Sequence, residues 1–493
     1  MKRGSEQRKF VGVAFLTAAL AVFSSACGDD DEKQPQQQTP DSGTPDSGTP
    51  DAGTPDSGTP DAGPGTALLD SDIGLMRFNA DGTVDTTFGA SGTTRLDLTT
   101  VVPGGARDSV WGVAADATDR LVVFGARRGD GDRVDADRVV VRFTANGARD
   151  TTFATEGVHT LNISNLSDGA RNGIVQADGK ILASGYTSQP TGAGTQAANR
   201  IVLLRLDDAG KPDNSFGWKG VVNDAPFGRV SDVNPEWGMA EAYTAGQLSD
   251  GSYVTTGYGR SASTGTVDMV NFKYKPNGER DLTFGTGGVV LLDLVGDNDR
   301  GRNLVVLDDD RVVTVGSATP AAQKIQGLIH ITDKNGVPTT QLGTDGYKLY
   351  DFERPEQAFF GVAKSRDGNW VAAAGYRAGG DNDDDAVLVI LPVGANPGAD
   401  IAIAAPISET ENDRFWSVAF DSTNRIYAAG FVTEGGDNRL AVARYTTAGV
   451  LDTSFGTGGV VKHNFSVGKT EEAVRGIVVQ SDGKIVVAAT VEK

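Results

Sequence analysis

The stretch "LDTSFGTGGVV", residues 451–461, reads as a loop running into a strand, and close copies of it recur along the chain. They are "VDTTFGASG" (84–92), "RDTTFATEG" (149–157), "PDNSFGWKG" (212–220) and "RDLTFGTGG" (280–288). A degraded copy, "PTTQLGTDG" (338–346), has Leu342 in place of phenylalanine, and a unit near residues 386–404 has lost the phrase. Intervals of 65, 63, 68 and 58 residues separate Phe88, Phe153, Phe216, Phe284 and Leu342, and the 113 residues from Leu342 to Phe455 are two periods. A fixed period of this size is the mark of a repeat architecture.

Each period holds four short apolar or alternating runs joined by turns such as "QADGK", "LSDGS" and "SRDGN". Four strands in about 60 residues make one blade of a β-propeller. The runs do not begin in register. The folded part opens on a third-type run, "IGLMRF" (73–78), and a fourth, "GTTRLDL" (92–98), and finishes on a first (472–479) and a second (484–490). The two chain ends therefore complement one another, and pairing them removes an unpaired edge. The expected fold is an all-β, seven-bladed β-propeller over residues 66–493, its last blade closed by two N-terminal and two C-terminal strands. An open solenoid of the same units would need capping ends. Within the phrase, Asp85, Asp150, Asp213, Asp281 and Asp452 suit Asx turns, and each phenylalanine suits a gap between blades, which assigns the phrase to the scaffold.

The combination of "D-x-x-F-G-x-x-G" with "V-x-x-D-G-K-I-x-V-A" at about sixty residues resembles the delta-60 repeat of bacterial surface and secreted proteins. The resemblance covers about residues 70–493, most strongly around Phe88, Phe284 and Phe455. It implies a propeller-like repeat protein and supplies no catalytic residues.

The N-terminus carries a different signal. Lys2, Arg3, Arg8 and Lys9 precede an apolar run from Phe10 to Phe23 and the small-residue context "SSAC". This reads as a signal peptide over residues 1–26. Cys27 directly after Ala26 resembles a bacterial lipoprotein signal, which implies lipidation of Cys27; Ser24 stands where that motif has leucine, and plain secretion is the alternative. Residues 27–65 then form a linker with five TPD(S/A)G units, too polar to bury a core. In extended form, at ~3 Å per residue, it reaches on the order of 100 Å. The expected address is the cell envelope, at the outer membrane or cell surface, with the lipid as the only membrane contact and the chain a monomer.

A formal charge of -20 argues against nucleic acid, whose backbone needs a basic partner surface. The lone cysteine, Cys27, excludes an internal disulfide. None of the three histidines (His159, His330, His463) lies on a first-type run, which argues against a histidine metal site or a nucleophile–histidine pair.

The second-to-third and fourth-to-first connections vary most and share one face, the expected binding surface. At or beside the same opening position of each first-type run stands an acid: Asp108, Asp168, Glu241, Asp299, Glu356, Asp413 and Glu472. Such a ring could bind a cation or ligand at the channel mouth, or each carboxylate could accept backbone hydrogen bonds and be balanced by neighbours such as Arg107, Arg171, Arg300 and Arg414. Trp111, Trp237, Phe360 and Trp416 near the same rim suit stacking on a sugar, clasping a peptide or packing between blades. The candidate ligand residues are thus Asp108, Asp299, Asp413, Glu472, Trp111 and Trp416. No cofactor is expected apart from calcium at "DNDDDA" (381–386), where Asp381, Asp383 and Asp385 alternate, although Ala386 replaces the glycine of an EF-hand loop. The resulting expectation is a lipid-anchored scaffold that binds a protein or polysaccharide without chemistry of its own. The alternative is a polysaccharide-acting hydrolase using a pair of rim carboxylates.

Overall fold

The computed structural model describes residues 70–99, 106–131, 133–190, 197–227, 239–260, 266–294, 298–320, 324–379, 383–394, 398–467, 469 and 472–493. The signal, Cys27 and the TPD(S/A)G linker lie outside them, as do Trp237 and Asp381. The described residues are all-β, and their one helical turn is the 3-10 segment Thr340–Leu342, where the degraded phrase lacks its phenylalanine.

The strands fall into successive antiparallel groups of four. After β1 (Asp70–Phe78) and β2 (Thr93–Leu96) come β3 (Ala106–Ala115), β4 (Leu121–Arg128), β5 (Ala136–Phe143) and β6 (Val158–Leu161). The next group is β7 (Asp168–Val175), β8 (Ile181–Pro190), β9 (Ala197–Leu206) and β10 (Val221–Asp224). It is followed by β11 (Thr244–Gln247), β12 (Tyr253–Gly259), β13 (Asp268–Tyr274) and β14 (Val290–Leu292). Then come β15 (Arg300–Val306), β16 (Val312–Ala318), β17 (Gln326–Thr332) and β18 (Tyr347–Tyr350). Two further groups are β19 (Glu356–Lys364), β20 (Trp370–Ala378), β21 (Asp385–Pro392), β22 (Ile401–Ala404), and β23 (Asp413–Phe420), β24 (Ile426–Glu434), β25 (Asp437–Tyr445), β26 (Val460–His463). The chain finishes with β27 (Ala473–Val479) and β28 (Ile485–Glu492).

The ends of the folded chain share one sheet. β1 pairs antiparallel with β28 from Ser71↔Glu492 to Phe78↔Ile485, while β2 pairs with β1 and β27 with β28. This β27-β28-β1-β2 unit is joined to β3-β4-β5-β6 in one eight-stranded sheet by two parallel pairs, Asp70↔Ala106 and Ser71↔Arg107, and the other five sheets have four strands each. First strands are spatial neighbours in chain order from β3 to β27, and β27 in turn neighbours β3. The apolar cores lie between consecutive sheets: Phe124 and Val140 pack with Ala183 and Leu204, for example.

The repeated phrase fastens each unit to the next. In the phrase after β5, Asp150 accepts the Thr152 N–H at 3.1 Å and its hydroxyl at 2.6 Å, closing an Asx turn. Arg142, on β5, donates Nε to Asp150 at 2.8 Å, lies 4.6 Å from the Phe153 ring centroid, and donates to the Asp208 carbonyl of the following unit at 2.6 Å. The amide of Ala154 donates to the Ala209 carbonyl at 2.8 Å. Arg77, Arg205 and Arg444 repeat this arrangement with Phe88, Phe216 and Phe455. The last of these joins Arg444 to the Ala80 carbonyl, so the staple spans the two ends of the chain. Lys273 replaces arginine on β13 and donates to the Lys334 carbonyl at 3.4 Å. Where the phrase is lost, Ile401 and Ile403 of β22 pack into the next core instead.

Phe88, Phe153 and Phe216 sit under the turn glycines Gly147, Gly210 and Gly278 of the next unit. Gly147 has φ +81°, and a Cβ there would lie 2.5 Å from the Phe88 ring, so both its backbone and its lack of a side chain are required. Replacing the fully buried Phe153 by alanine should therefore lower stability by about 3–5 kcal/mol, with Leu342→Ala costing less because the degraded unit lacks the arginine and ring. Denaturant unfolding measures both, and equal losses would show that the phrase is not the fastening.

Candidate functional site

The acids at the opening of the first strands are buried staples. Asp108, Asp168, Asp299, Asp413 and Glu472 are all 0% exposed. Asp108 accepts the Leu98 N–H at 2.5 Å and the Thr99 hydroxyl at 2.9 Å. Asp168 accepts the Ile163 and Ser164 N–H groups at 2.6 and 3.1 Å. Asp299 accepts the N–H groups of Leu294 and Thr319 at 2.8 and 2.9 Å. Asp413 accepts three, from Ala386, Ile407 and Ser408, at 2.9, 3.0 and 2.9 Å. Glu472 accepts the Phe465 N–H at 2.9 Å. Each carboxyl thus ties the chain leaving one sheet to the first strand of the next. Burial pushes Asp108 up to about 6 and both Asp413 and Glu472 up to about 7, against backbone donors that favour the charged form.

The other two acids are out of step with these five. Gln357, not Glu356, takes the equivalent position, its side-chain oxygen accepting the Phe352 N–H at 3.0 Å. Glu356 instead accepts the Tyr376 hydroxyl at 2.7 Å. Glu241 pairs with Arg171 at 3.2 Å and accepts the Asn199 amide.

Three residues beyond the staple position, six first strands carry a β-bulge: at Trp111, Arg171, Arg302, Phe360, Trp416 and Arg475. Tyr243 stands at the corresponding place just before β11, its N–H on the Thr256 carbonyl at 2.7 Å. A bulge leaves one residue outside the ladder and re-aims its side chain. These seven side chains meet in a closed cycle. Arg171 lies 4.5 Å from the Trp111 ring and 4.9 Å from Tyr243, and Arg302 lies 4.9 Å from Tyr243 and 5.0 Å from Phe360. Phe360 meets Trp416 edge-on at 4.4 Å, and Arg475 lies 4.1 Å from Trp416 and 5.2 Å from Trp111. Trp111, Arg302, Phe360 and Arg475 remain partly exposed. Trp111, Phe360 and Trp416 were legible in the sequence as rim aromatics and Arg171 as a neighbour of the acids, whereas Tyr243, Arg302 and Arg475 were not. Their signal was the first strands themselves, once these are aligned on the bulge.

Of the calcium candidates, Asp381 lies outside the described residues and Asp385 is held by cations. Asp385 is buried and pairs with Arg377 at 2.7 Å, with Arg354 at 3.9 Å. Burial and the neighbouring Asp385 raise the Asp383 carboxyl above its usual range. A site whose carboxylate already faces two guanidinium groups suits a dication poorly. Among the described residues, the acids close enough to share a metal ion are Asp72, Asp97 and Asp108. There the Lys493 ammonium lies 3.3 Å from Asp72 and 2.6 Å from Asp97, clasping the C-terminus onto the N-terminal strands. A cleft of about 400 Å³ on the opposite face is lined by Gln176, Lys180, Arg205, Tyr253 and Asn277, and includes staple residues.

The sign of the pH dependence follows from burial. A carboxyl whose folded pKa is raised contributes stability in full below its unfolded value of about 4, and that contribution is lost as pH rises through the folded value. For Asp413 the window runs from about 4 to about 7. The melting temperature of Asp413→Asn relative to the parent should therefore shift in the variant's favour across that window. A shift the other way would show Asp413 to be ionised in the native state.

Comparison with known proteins is consistent with this architecture. Residues 70–88, 176–216 and 422–455 match the family described as "Domain of unknown function (DUF5122) beta-propeller". No curated protein matches the chain. Among solved structures, the chain is similar to the polysaccharide lyase Uly1 (11% identity, 85% of this chain and 98% of that one, TM-score 0.40). It is also similar to the β-propeller domain of the Trilobed protease from Pyrococcus furiosus (9% identity, 76% and 89% covered, TM-score 0.37). A glucose dehydrogenase aligns at 11% identity over 69% of this chain and 98% of that one, with a TM-score of 0.38. Likeness at this level transfers neither activity nor ligand. What the matched segments support is a β-propeller repeat family.

Proposed function

We propose that the protein is an exported, lipid-anchored β-propeller of the cell envelope that binds a protein or polysaccharide ligand and performs no chemistry of its own. The observation that carries the binding reading is the cycle of arginine and aromatic side chains, four of them partly exposed, set on one bulge per first strand. The five staple acids are 0% exposed and engaged by backbone or hydroxyl donors, which leaves them out of reach of a substrate as an acid–base pair. The raised pKa values of Asp413 and Glu472 would suit a general acid and favour the hydrolase alternative. Their burial weighs against it.

The finer architecture in this reading is a closed ring of seven blades, with Cys27 as the lipid anchor and residues 27–65 as the stalk. Closure draws its support from the β1–β28 ladder, the adjacency of β27 and β3, and the Arg444–Ala80 staple. A chain ending at Lys484 loses β28, and with it the partner of both β1 and β27. It should fail to fold cooperatively, and heat resistance equal to the parent's would refute the ring.

The function is tested by presenting the full chain to a glycan and peptide array and assaying the hits for cleavage. Binding without turnover is the expected result. Turnover abolished by Asp413→Asn and Glu472→Gln would overturn it in favour of the hydrolase, and an array without hits would overturn both.

A further inference from the structure

The bulge cycle has a composition that packing alone does not explain. Arginine is a poor filler between sheets, because burying a guanidinium costs hydration that an aliphatic side chain does not lose. Yet Arg171, Arg302 and Arg475 occupy three of the equivalent positions, and no carboxylate occupies any of the seven. Arg171 is buried and paired with Glu241, while Arg302 and Arg475 remain partly exposed, so the layer presents two guanidinium groups within a chain of formal charge -20. Its cations alternate with flat apolar faces: Arg171 between Trp111 and Tyr243, Arg302 between Tyr243 and Phe360, Arg475 between Trp416 and Trp111. A second observation points to a ligand. The indole Nε1 of Trp416, a residue 8% exposed, is a buried donor with no hydrogen-bond partner. A buried donor left unmade costs stability, and an acceptor that reaches it relieves that cost.

We propose that this belt is a binding site for an anionic saccharide, a sugar ring bearing a carboxylate. The inference rests on the binding reading above and names the chemistry of the ligand. Guanidinium forks bind carboxylates in bidentate fashion, and the C–H face of a pyranose stacks on indole and phenyl rings. Both kinds of contact are present side by side at one level. An acidic peptide would use the arginines and leave the ring faces uncovered, and a neutral sugar would do the reverse. A chain of formal charge -20 repels an anion on average, so binding should depend on the belt itself.

Titrating the full chain with trigalacturonate, with galactotriose as its neutral counterpart and with hexaglutamate as an acidic peptide tests the proposal. Calorimetry and intrinsic tryptophan fluorescence are the readouts. The expected result is that trigalacturonate binds with a change in tryptophan emission and weakens as salt is raised. Arg302→Gln and Arg475→Gln should each weaken it by about tenfold or more. Arg475→Lys keeps the charge and should restore part of the loss, which a merely misfolded ring would not. The fluorescence titration of the parent needs no variant to fold.

Equal binding of galactotriose would overturn the anionic ligand, and binding of hexaglutamate with the same arginine dependence would overturn the saccharide. Trigalacturonate binding that the variants do not weaken would place the site elsewhere. Failure of all three probes would overturn the inference, and array hits of another class would then leave the broader binding function standing.

Discussion

The fastening between consecutive sheets is the interaction on which the rest of the molecule depends. A four-stranded sheet of short strands cannot bury both its faces alone, so its stability comes from its neighbours. The arginine of a third strand meets three demands at once: it neutralises the phrase aspartate, covers the phrase phenylalanine, and caps a carbonyl on the next unit's turn. The aspartates show the electrostatic side of this arrangement. Burial acts to raise Asp85, Asp150 and Asp213, yet hydrogen bonds from the residue two places on, together with the guanidinium, hold them below the usual carboxylate range. The same architecture thus contains two populations of acids, one held charged by local donors and one raised by deep burial at the first-strand openings.

The bulges link this scaffold to the candidate site. At five of the six bulges the first strand presses against the second so closely that a Cβ on the facing glycine would meet a backbone oxygen. Gly125 would place one 1.9 Å from the Ser109 carbonyl, and Gly430 one 1.8 Å from that of Arg414. Glycine in "VVFGA" and "AAGF" therefore allows the bulge, and the bulge frees Trp111 or Trp416 from the ladder. Here a residue on a second strand decides what a first strand can present. Only in the last unit does Ala489 stand at this place, opposite Val474.

The buried acids and the cationic belt lie only three residues apart along the same strands, yet they do different work. The acids are spent on backbone donors and hold sheet to sheet. The belt side chains, at the bulge itself, contact one another around the cycle. Separating the two roles explains how the first strands can be uniform enough to hold sheet to sheet and still vary, as Trp, Arg, Tyr or Phe, at the bulge.

Repetition is a local property, and it was legible in the chain. The phrase, its period, the Asx turns and the out-of-register ends follow from turn chemistry and alternation, which depend on residues near in sequence. The β1–β28 ladder pairs residues about four hundred positions apart, and it too could be read because the missing strand types at one end were present at the other. The site was less legible. Acids at matching positions look alike in a sequence whether they face solvent or backbone donors, and only the fold shows Asp413 enclosed by three N–H groups and Asp385 facing Arg377. Likewise Arg171, Tyr243, Arg302, Phe360 and Arg475 mix cationic and aromatic residues and share no motif. Tertiary structure alone brings them together with Trp111 and Trp416, because a bulge shifts a strand's register by one residue and contacts across neighbouring sheets are not written in any local pattern.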